Sequence, residues 1–386
     1  MEKNILIVHG GGPTAVINSS LYGVLKEARN HSEVRRIYAA RNGSGGLMKR
    51  EFIDLTDVSD KELELLLQTP GSAIGTSRDE IEGRDYEEMV DILVEENIQY
   101  VLFNGGNGTM DTCGKLYKAC RKKNANIFLM GIPKTMDNDI AVTDHSPGFG
   151  SAALYIARSV KEVCADVRGL AIHAVVIEAS GRNAGWITAA SALADDGDGL
   201  GPDLIYLPEI PFEEEKFLED VKAKLREKTG IVIVVSEGLK NAEGKPIVPP
   251  VFQTGRATYF GDVSAHLANL IIKNLGYKAR SEKPGLLGRA SIAMQSKVDR
   301  EEAVLAGREA CRAVLNGESG KMVAFRRKEG EYGIETFLVD IDEVMLHERI
   351  LPAEYINETR NGVTEAFKEW CLPLLGEALD KMIHFN

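Results

Sequence analysis

A lysine, a threonine and two aspartates fall within six residues in Pro133-Lys-Thr-Met-Asp-Asn-Asp139, directly after the apolar run Ile127–Gly131. Asp and Asn are common in turns and at helix caps. A lysine point charge beside a hydroxyl and two acids is nevertheless an odd way to make a turn, and it suits the movement of a phosphoryl group. That chemistry needs cations for the transferring phosphate, one carboxylate for a metal ion and another to take the acceptor's proton.

Two further loops have the composition of anion cradles. His9-Gly-Gly-Gly-Pro-Thr14 follows the apolar run Ile5–Val8, and Asn104-Gly-Gly-Asn-Gly-Thr-Met-Asp111 follows Tyr100–Phe103. Glycines let backbone N–H groups approach an anion, and the helix expected after each loop favours negative charge at its N-terminus. Gly-rich turns of this kind also serve tight packing alone. The first loop does not match GxGxxG, which argues against a dinucleotide-binding dehydrogenase.

The elements that must hold these loops are short apolar runs alternating with helical periods. Strands are expected at Ile5–Val8, Ile37–Ala40, Tyr100–Phe103, Ile127–Gly131, His173–Ile177 and Ile231–Val235, with helices ending near Ala28 and spanning about Asp111–Lys122. Continuous Val/Ile/Leu runs bounded by glycine indicate parallel strands buried on both faces, hence a doubly wound α/β architecture. In such sheets ligands sit beyond the carboxyl ends of the strands, where all three loops lie. We place a first domain at residues 1–140 plus about 287–340, and a second at 141–286 plus about 341–386 with a helical tail. Trp370 and Cys371 sit in an apolar helical pattern that reads as packing or interface.

Composition narrows the field. With 386 residues, two domains are expected. A formal charge of −12 argues against nucleic acid or an anionic membrane as partner, so the cations a phosphate site needs must be concentrated locally. The five cysteines show no metal-ligand spacing and read as reduced thiols of a cytoplasmic protein. Neither a signal peptide nor a membrane-length apolar run is apparent.

Pro133–Asp139 resembles the catalytic signature of the phosphofructokinase family. Gly10-Gly-Gly-Pro-Thr-Ala-Val-Ile-Asn18, Thr69-Pro-Gly-Ser-Ala-Ile-Gly-Thr-Ser-Arg78, Asn104–Thr109, Pro147-Gly-Phe-Gly-Ser151 and Glu178-Ala-Ser-Gly-Arg-Asn-Ala-Gly-Trp186 follow in that family's order. The match covers about residues 3–315 and is most similar to the bacterial branch that uses pyrophosphate. The resemblance implies two Rossmann-like domains with mostly parallel sheets, a donor-binding first domain, an acceptor-binding second domain and the active site in the cleft between them. It implies Mg2+-dependent phosphoryl transfer from pyrophosphate or ATP to fructose 6-phosphate, by a homodimer or homotetramer.

Residue roles follow from the same resemblance. Asp137 takes the place of the general base, with Lys134 and Arg182 stabilising the transferring group. Gly11, Arg78, Gly108, Thr109 and Lys134 match donor-phosphate contacts, and Asn107 and Asp139 match positions near the metal. Thr135, Asp137, Asp139, Ser180, Gly181, Arg182, Glu237, Arg280 and Arg289 match acceptor contacts.

Two departures bear on substrates. Pyrophosphate users usually carry Asp where this chain has Gly108, which leaves ATP sterically possible. In the pocket for the sugar's 6-phosphate, His173, Ser180, Leu286 and Gly288 replace the usual residues, so fewer permanent charges are offered unless Lys283 compensates. An unphosphorylated polyol such as myo-inositol, or another sugar, is the alternative acceptor.

Overall fold

A computed structural model describes residues 3–170, 172–254 and 257–385, without side chains at 253, 254 and 257–259. The chain divides into two compact units, Met1–Ser151 with Arg289–Arg349, and Ala152–Gly288 with Ile350–Asn386.

The strands open with β1 (Lys3–His9), β2 (Val34–Ala40), β3 (Phe52–Asp54), β4 (Tyr100–Gly105) and β5 (Phe128–Pro133). Next come β6 (Ala174–Ala179), β7 (Leu204–Tyr206), β8 (Ile231–Ser236), β9 (Pro250–Thr254), β10 (Ala257–Phe260) and β11 (Ala279–Glu282). The last are β12 (Lys321–Arg327) and β13 (Ile334–Asp340).

The first unit is built on one sheet in the order β13-β12-β5-β4-β1-β2-β3. Its central strands are parallel, whereas β3 and β13 run antiparallel to their neighbours at the two edges. Alternate residues explain the continuous apolar runs. Leu6, Val8, Val101, Phe103 and Leu129 join a core on one face, while Ile5, Ile7, Leu102, Met130 and Ile132 join another on the opposite face. With both faces covered, each such side chain contributes about 1.5–3 kcal/mol of burial. The strand order reverses between β1 and β4, where His9 pairs with Asn104. That switch point brings the first two glycine loops side by side.

The second unit carries a fully parallel sheet in the order β11-β6-β8-β7 and a separate hairpin, β9–β10. Ala174, Val176, Ile231, Ile233 and Val235 face its core. Trp370 packs on Trp186 with ring centroids 4.9 Å apart, beside Phe367 and Tyr355, so this part of the tail serves packing within the unit. The chain is thus α/β with mostly parallel sheets. The β12–β13 pair was not among the expected strands. Cys113, Cys120, Cys164 and Cys311 are buried thiols. No helix of the described residues is long and apolar enough to cross a membrane.

Candidate active site

The lysine–threonine–aspartate segment leaves the end of β5 as a tight turn organised by one hydroxyl. Thr135 Oγ1 accepts from the Asp137 N–H at 3.1 Å and donates to Asp139 Oδ1 at 3.0 Å, so a single side chain orders both carboxylates. Asn138 between them adopts a left-handed backbone with φ of 54°. Its Oδ1 accepts from the Ser146 N–H at 3.0 Å, closing the loop. Such a conformation favours Asn over bulkier residues.

Lys134 is almost fully buried. Its Nζ donates to the Gly10 and Gly12 carbonyls at 3.0 and 2.6 Å. Gly11, at φ of +75°, leaves Nζ at 3.7 Å from where a Cβ would stand. Burial pushes the Lys134 ammonium down to about 8; Arg289 and Arg78 push the same way, and Asp137 and Asp139 only partly oppose them. The neighbouring arginines lie at the same loop, because a Cβ on Gly12 would stand 2.5 Å from Arg289 Nη1 and 3.5 Å from Arg78 Nη2. Three cations therefore converge on the first glycine loop. Arg289, expected as an acceptor contact, lies beside Gly12 of the first loop, within the first unit.

The second loop approaches closely enough that a Cβ on Gly10 would collide with Thr109 Oγ1. The helix Asn107–Lys122 begins without a side-chain cap, four residues before the expected start. Its first N–H groups and the positive end of its dipole suit an anion. A Cβ on Gly108 would meet nothing within 4 Å.

This corner also fits a divalent cation. Asn107 Nδ2 donates to the Asp139 carbonyl at 3.0 Å, while its buried Oδ1 has no partner among the described residues. Burial, with Glu348 nearby, pushes the Asp139 carboxyl up. A bound Mg2+ would satisfy the orphaned oxygen and favour the ionised carboxylate. No group of three His, Cys, Asp or Glu among the described residues could hold a metal alone. Mg2+ characteristically takes one or two carboxylates together with substrate phosphates.

In the second unit, two strand-end turns interlock. Gly181 N–H donates to Glu237 Oε1 at 3.1 Å, and Ser236 Oγ donates to the Gly181 carbonyl at 2.7 Å. This joins the turn carrying Ser180, Gly181 and Arg182 to the one carrying Glu237. Arg182 is exposed and lies over the Phe260 ring at 5.5 Å. Arg280 is exposed on β11, the edge strand. Leu286 is exposed, and His173 Nδ1 accepts from the Lys278 N–H at 3.0 Å. Lys283 does not offer a spare charge: it is held by Glu178 at 2.8 Å and by Asp262 at 2.5 Å.

The loops of this unit are supported by buried polar residues, several of them distant in sequence. Asp299, fully buried, accepts from the Gly148 and Ser151 N–H groups at 2.8 and 2.9 Å. Burial pushes its carboxyl up to about 6. His145 lies between Asp144 and Glu302 at 2.7 and 2.6 Å. Asn18 fastens the 69–73 segment through the Thr69 and Gly71 carbonyls and the Ala73 N–H. Asp299, Glu302 and His145 lie in polar or charged runs that gave no sequence signal, whereas Asn18 closes the Gly10–Asn18 motif.

A family model described as phosphofructokinase matches residues 4–314. A pyrophosphate–fructose 6-phosphate 1-phosphotransferase of Halomonas elongata is 33% identical, covering 97% of this chain and 92% of the relative. A sulfofructose kinase of Alkalicoccus urumqiensis is 32% identical, covering 95% and 94%. Among solved structures, a pyrophosphate-dependent phosphofructokinase from Nitrosospira multiformis superposes with a TM-score of 0.90 at 34% identity, covering 100% of this chain and 94% of that one.

Proposed function

Because the chain belongs to the phosphofructokinase family, we propose that it transfers a phosphoryl group from pyrophosphate to the 1-hydroxyl of fructose 6-phosphate. The observation that carries this reading is the convergence of Lys134, Arg78 and Arg289 on one glycine loop beside the Asp137–Asp139 turn. Relatives of nearly full length named for this reaction support the substrate pair.

In this proposal Asp137 takes the hydroxyl proton as the new O–P bond forms and the bridging P–O bond of pyrophosphate breaks, releasing orthophosphate. Lys134, Arg78 and Arg289, with Gly11 of the first loop and Gly108 and Thr109 at the second loop's helix N-terminus, hold the charge that develops. Thr135 keeps Asp137 and Asp139 in register. When bound at Asp139 and Asn107, Mg2+ would neutralise phosphate charge. Arg182 stabilises the transferring group, and Ser180, Gly181, Glu237 and Arg280 of the second unit bind the acceptor.

A second reading changes only the acceptor. With Lys283 neutralised and Leu286 exposed, the residues expected to hold a 6-phosphate offer few free charges. That suits a sugar with a less charged group at its far end, such as sulfofructose, or a polyol such as myo-inositol. The relative named sulfofructose kinase supports this direction.

Phosphorus NMR of the purified protein with Mg2+, pyrophosphate and fructose 6-phosphate tests the first reading, with ATP as a second donor. A second sugar phosphate from pyrophosphate supports it; turnover only with sulfofructose or a polyol replaces it by the second. A Cβ on Gly108 would stand in open space, and an aspartate there would set a negative charge against a nucleotide's α-phosphate, so Gly108→Asp should abolish any turnover with ATP while sparing pyrophosphate.

A further inference from the structure

His9 ends β1 directly after the apolar Ile5–Val8 run, and none of it is exposed. Its two ring nitrogens face different loops. Nδ1 lies 2.8 Å from Ser72 Oγ, and the Ser72 hydroxyl donates onward to the Gly75 carbonyl at 2.9 Å. The serine oxygen is left to accept, so Nδ1 carries the proton. Nε2 lies 3.4 Å from Asn104 Nδ2. The same amide nitrogen donates to the Ile17 carbonyl at 3.2 Å, which fixes the end of the amide that faces the ring. Nε2 must therefore accept.

This relay crosses the loops that carry the donor-site residues. Asn104 is the penultimate residue of β4, His9 closes β1, and Ser72 and Gly75 belong to the segment ending in Arg78. Backbone contacts continue the connection: Gly11 N–H donates to the Ser77 carbonyl at 2.8 Å, and Thr76 Oγ1 donates to the Gly11 carbonyl at 2.7 Å. Lys134 then caps the first loop through Gly10 and Gly12. A proton on Nε2 would face the Asn104 amide donor. Burial, reinforced by the Lys134 charge, pushes the imidazole down to about 3.

We propose that His9 is a positioning residue, an imidazole protonated only at Nδ1 that holds the loops after β1 and β4 and the 69–78 segment in the register presenting Gly11, Arg78 and Lys134 to a donor phosphate. The proposal rests on the donor-site reading above and assigns a residue that neither the family motifs nor that reading included. His9 is not a catalytic residue; it acts through the residues it aligns.

Side-chain nitrogen NMR of the full chain tests the tautomer without requiring turnover, the His9 signals being those lost in His9→Asn. The proposal expects one protonated and one bare ring nitrogen, assigned to Nδ1 and Nε2, unchanged from about pH 8 to 5, well above the titration at about 3. A proton on Nε2, or titration near the ordinary value of about 6.5, overturns it.

Pyrophosphate titrated calorimetrically into His9→Leu, His9→Asn and His9→Gln, with Mg2+, tests the positioning. Leu keeps bulk and loses both bonds; Asn places a donor near Nδ1, and Gln places an acceptor near Nε2. The Ser72 contact is the shorter, so affinity should fall in the order wild type, Asn, Gln, Leu, with Leu weakened at least tenfold. If Leu does not fold, Asn binding more tightly than Gln supports the proposal. Pyrophosphate affinity equal to wild type in all folded variants overturns it. A wild type that binds no pyrophosphate removes the donor reading instead, and the nitrogen spectrum still judges the tautomer.

Discussion

Lys134 and Lys283 carry the same charge into opposite environments. Lys134 is buried against two glycine carbonyls, with two arginines nearby, and its ammonium is pushed down to about 8. Lys283 lies between Glu178 and Asp262, which outweigh burial and push it up. Within its unit, the second charge is already matched. The first is only partly countered by Asp137 and Asp139 and sits at the end of parallel strands, where an incoming anion would restore the balance. A buried cation left short of countercharge costs stability unless function retains it. The contrast supports the proposed anion site at the first unit's loops and a structural part for the Lys283 network.

The largest effect that would sharpen this contrast belongs to Asp137. Asp137→Asn should lower kcat by about 10²–10⁴-fold while pyrophosphate still binds. Because Asp137 helps to hold the Lys134 proton, the same variant should move the alkaline limit of pyrophosphate binding to lower pH. Steady-state kinetics with calorimetry across pH read both.

A second matched cation tests the other half of the comparison. Burial lowers the His145 pKa, but Glu302 and Asp144 outweigh it and raise it from 6.5 to about 9. Its folded value lies above its unfolded value, so its stabilisation is complete below about pH 6.5 and is lost as pH rises through about 9. Chemical denaturation should show a loss on the order of 2–3 kcal/mol across that window. His145→Gln should be less stable at neutral pH and flatten the dependence.

The smallest expected effect is the wild-type pH profile. Lys134 loses its proton near pH 8 in the free protein. Calorimetry should therefore show pyrophosphate affinity level below that point and falling by up to about tenfold per pH unit above it. A constant affinity from pH 7 to 10 would leave the Lys134 charge without a role.

Strands β1, β4, β5, β6 and β8 were legible in the sequence because burial on both faces leaves an uninterrupted apolar run. The glycine loops were legible because they follow those runs. Strand β12 was hidden because its apolar Met322–Phe325 stretch leads into Arg326 and Arg327; β13 was hidden because its mostly half-buried residues, at a sheet edge, form neither an apolar run nor a clean alternation. Arg289 resembled an acceptor contact in sequence, and its proximity to Gly12 emerges only once the chain returns to the first unit. The Asp299, His145–Glu302 and His9–Ser72 contacts join residues 63 to 157 positions apart. No local pattern encodes partners at such distances. Among them only His9 stood out, as a polar side chain closing the apolar Ile5–Val8 run.

The most direct test of the central claim is calorimetric titration of pyrophosphate, with Mg2+ at pH 7, into wild type, Lys134→Met and Lys283→Met. Lys134→Met should weaken binding by at least about 100-fold. Lys283→Met should bind within threefold of wild type and melt at lower temperature, because Glu178 is left buried without its cation. Equal affinity in wild type and Lys134→Met, or a larger loss in Lys283→Met, would contradict the claim that the first unit's glycine loops form the donor site.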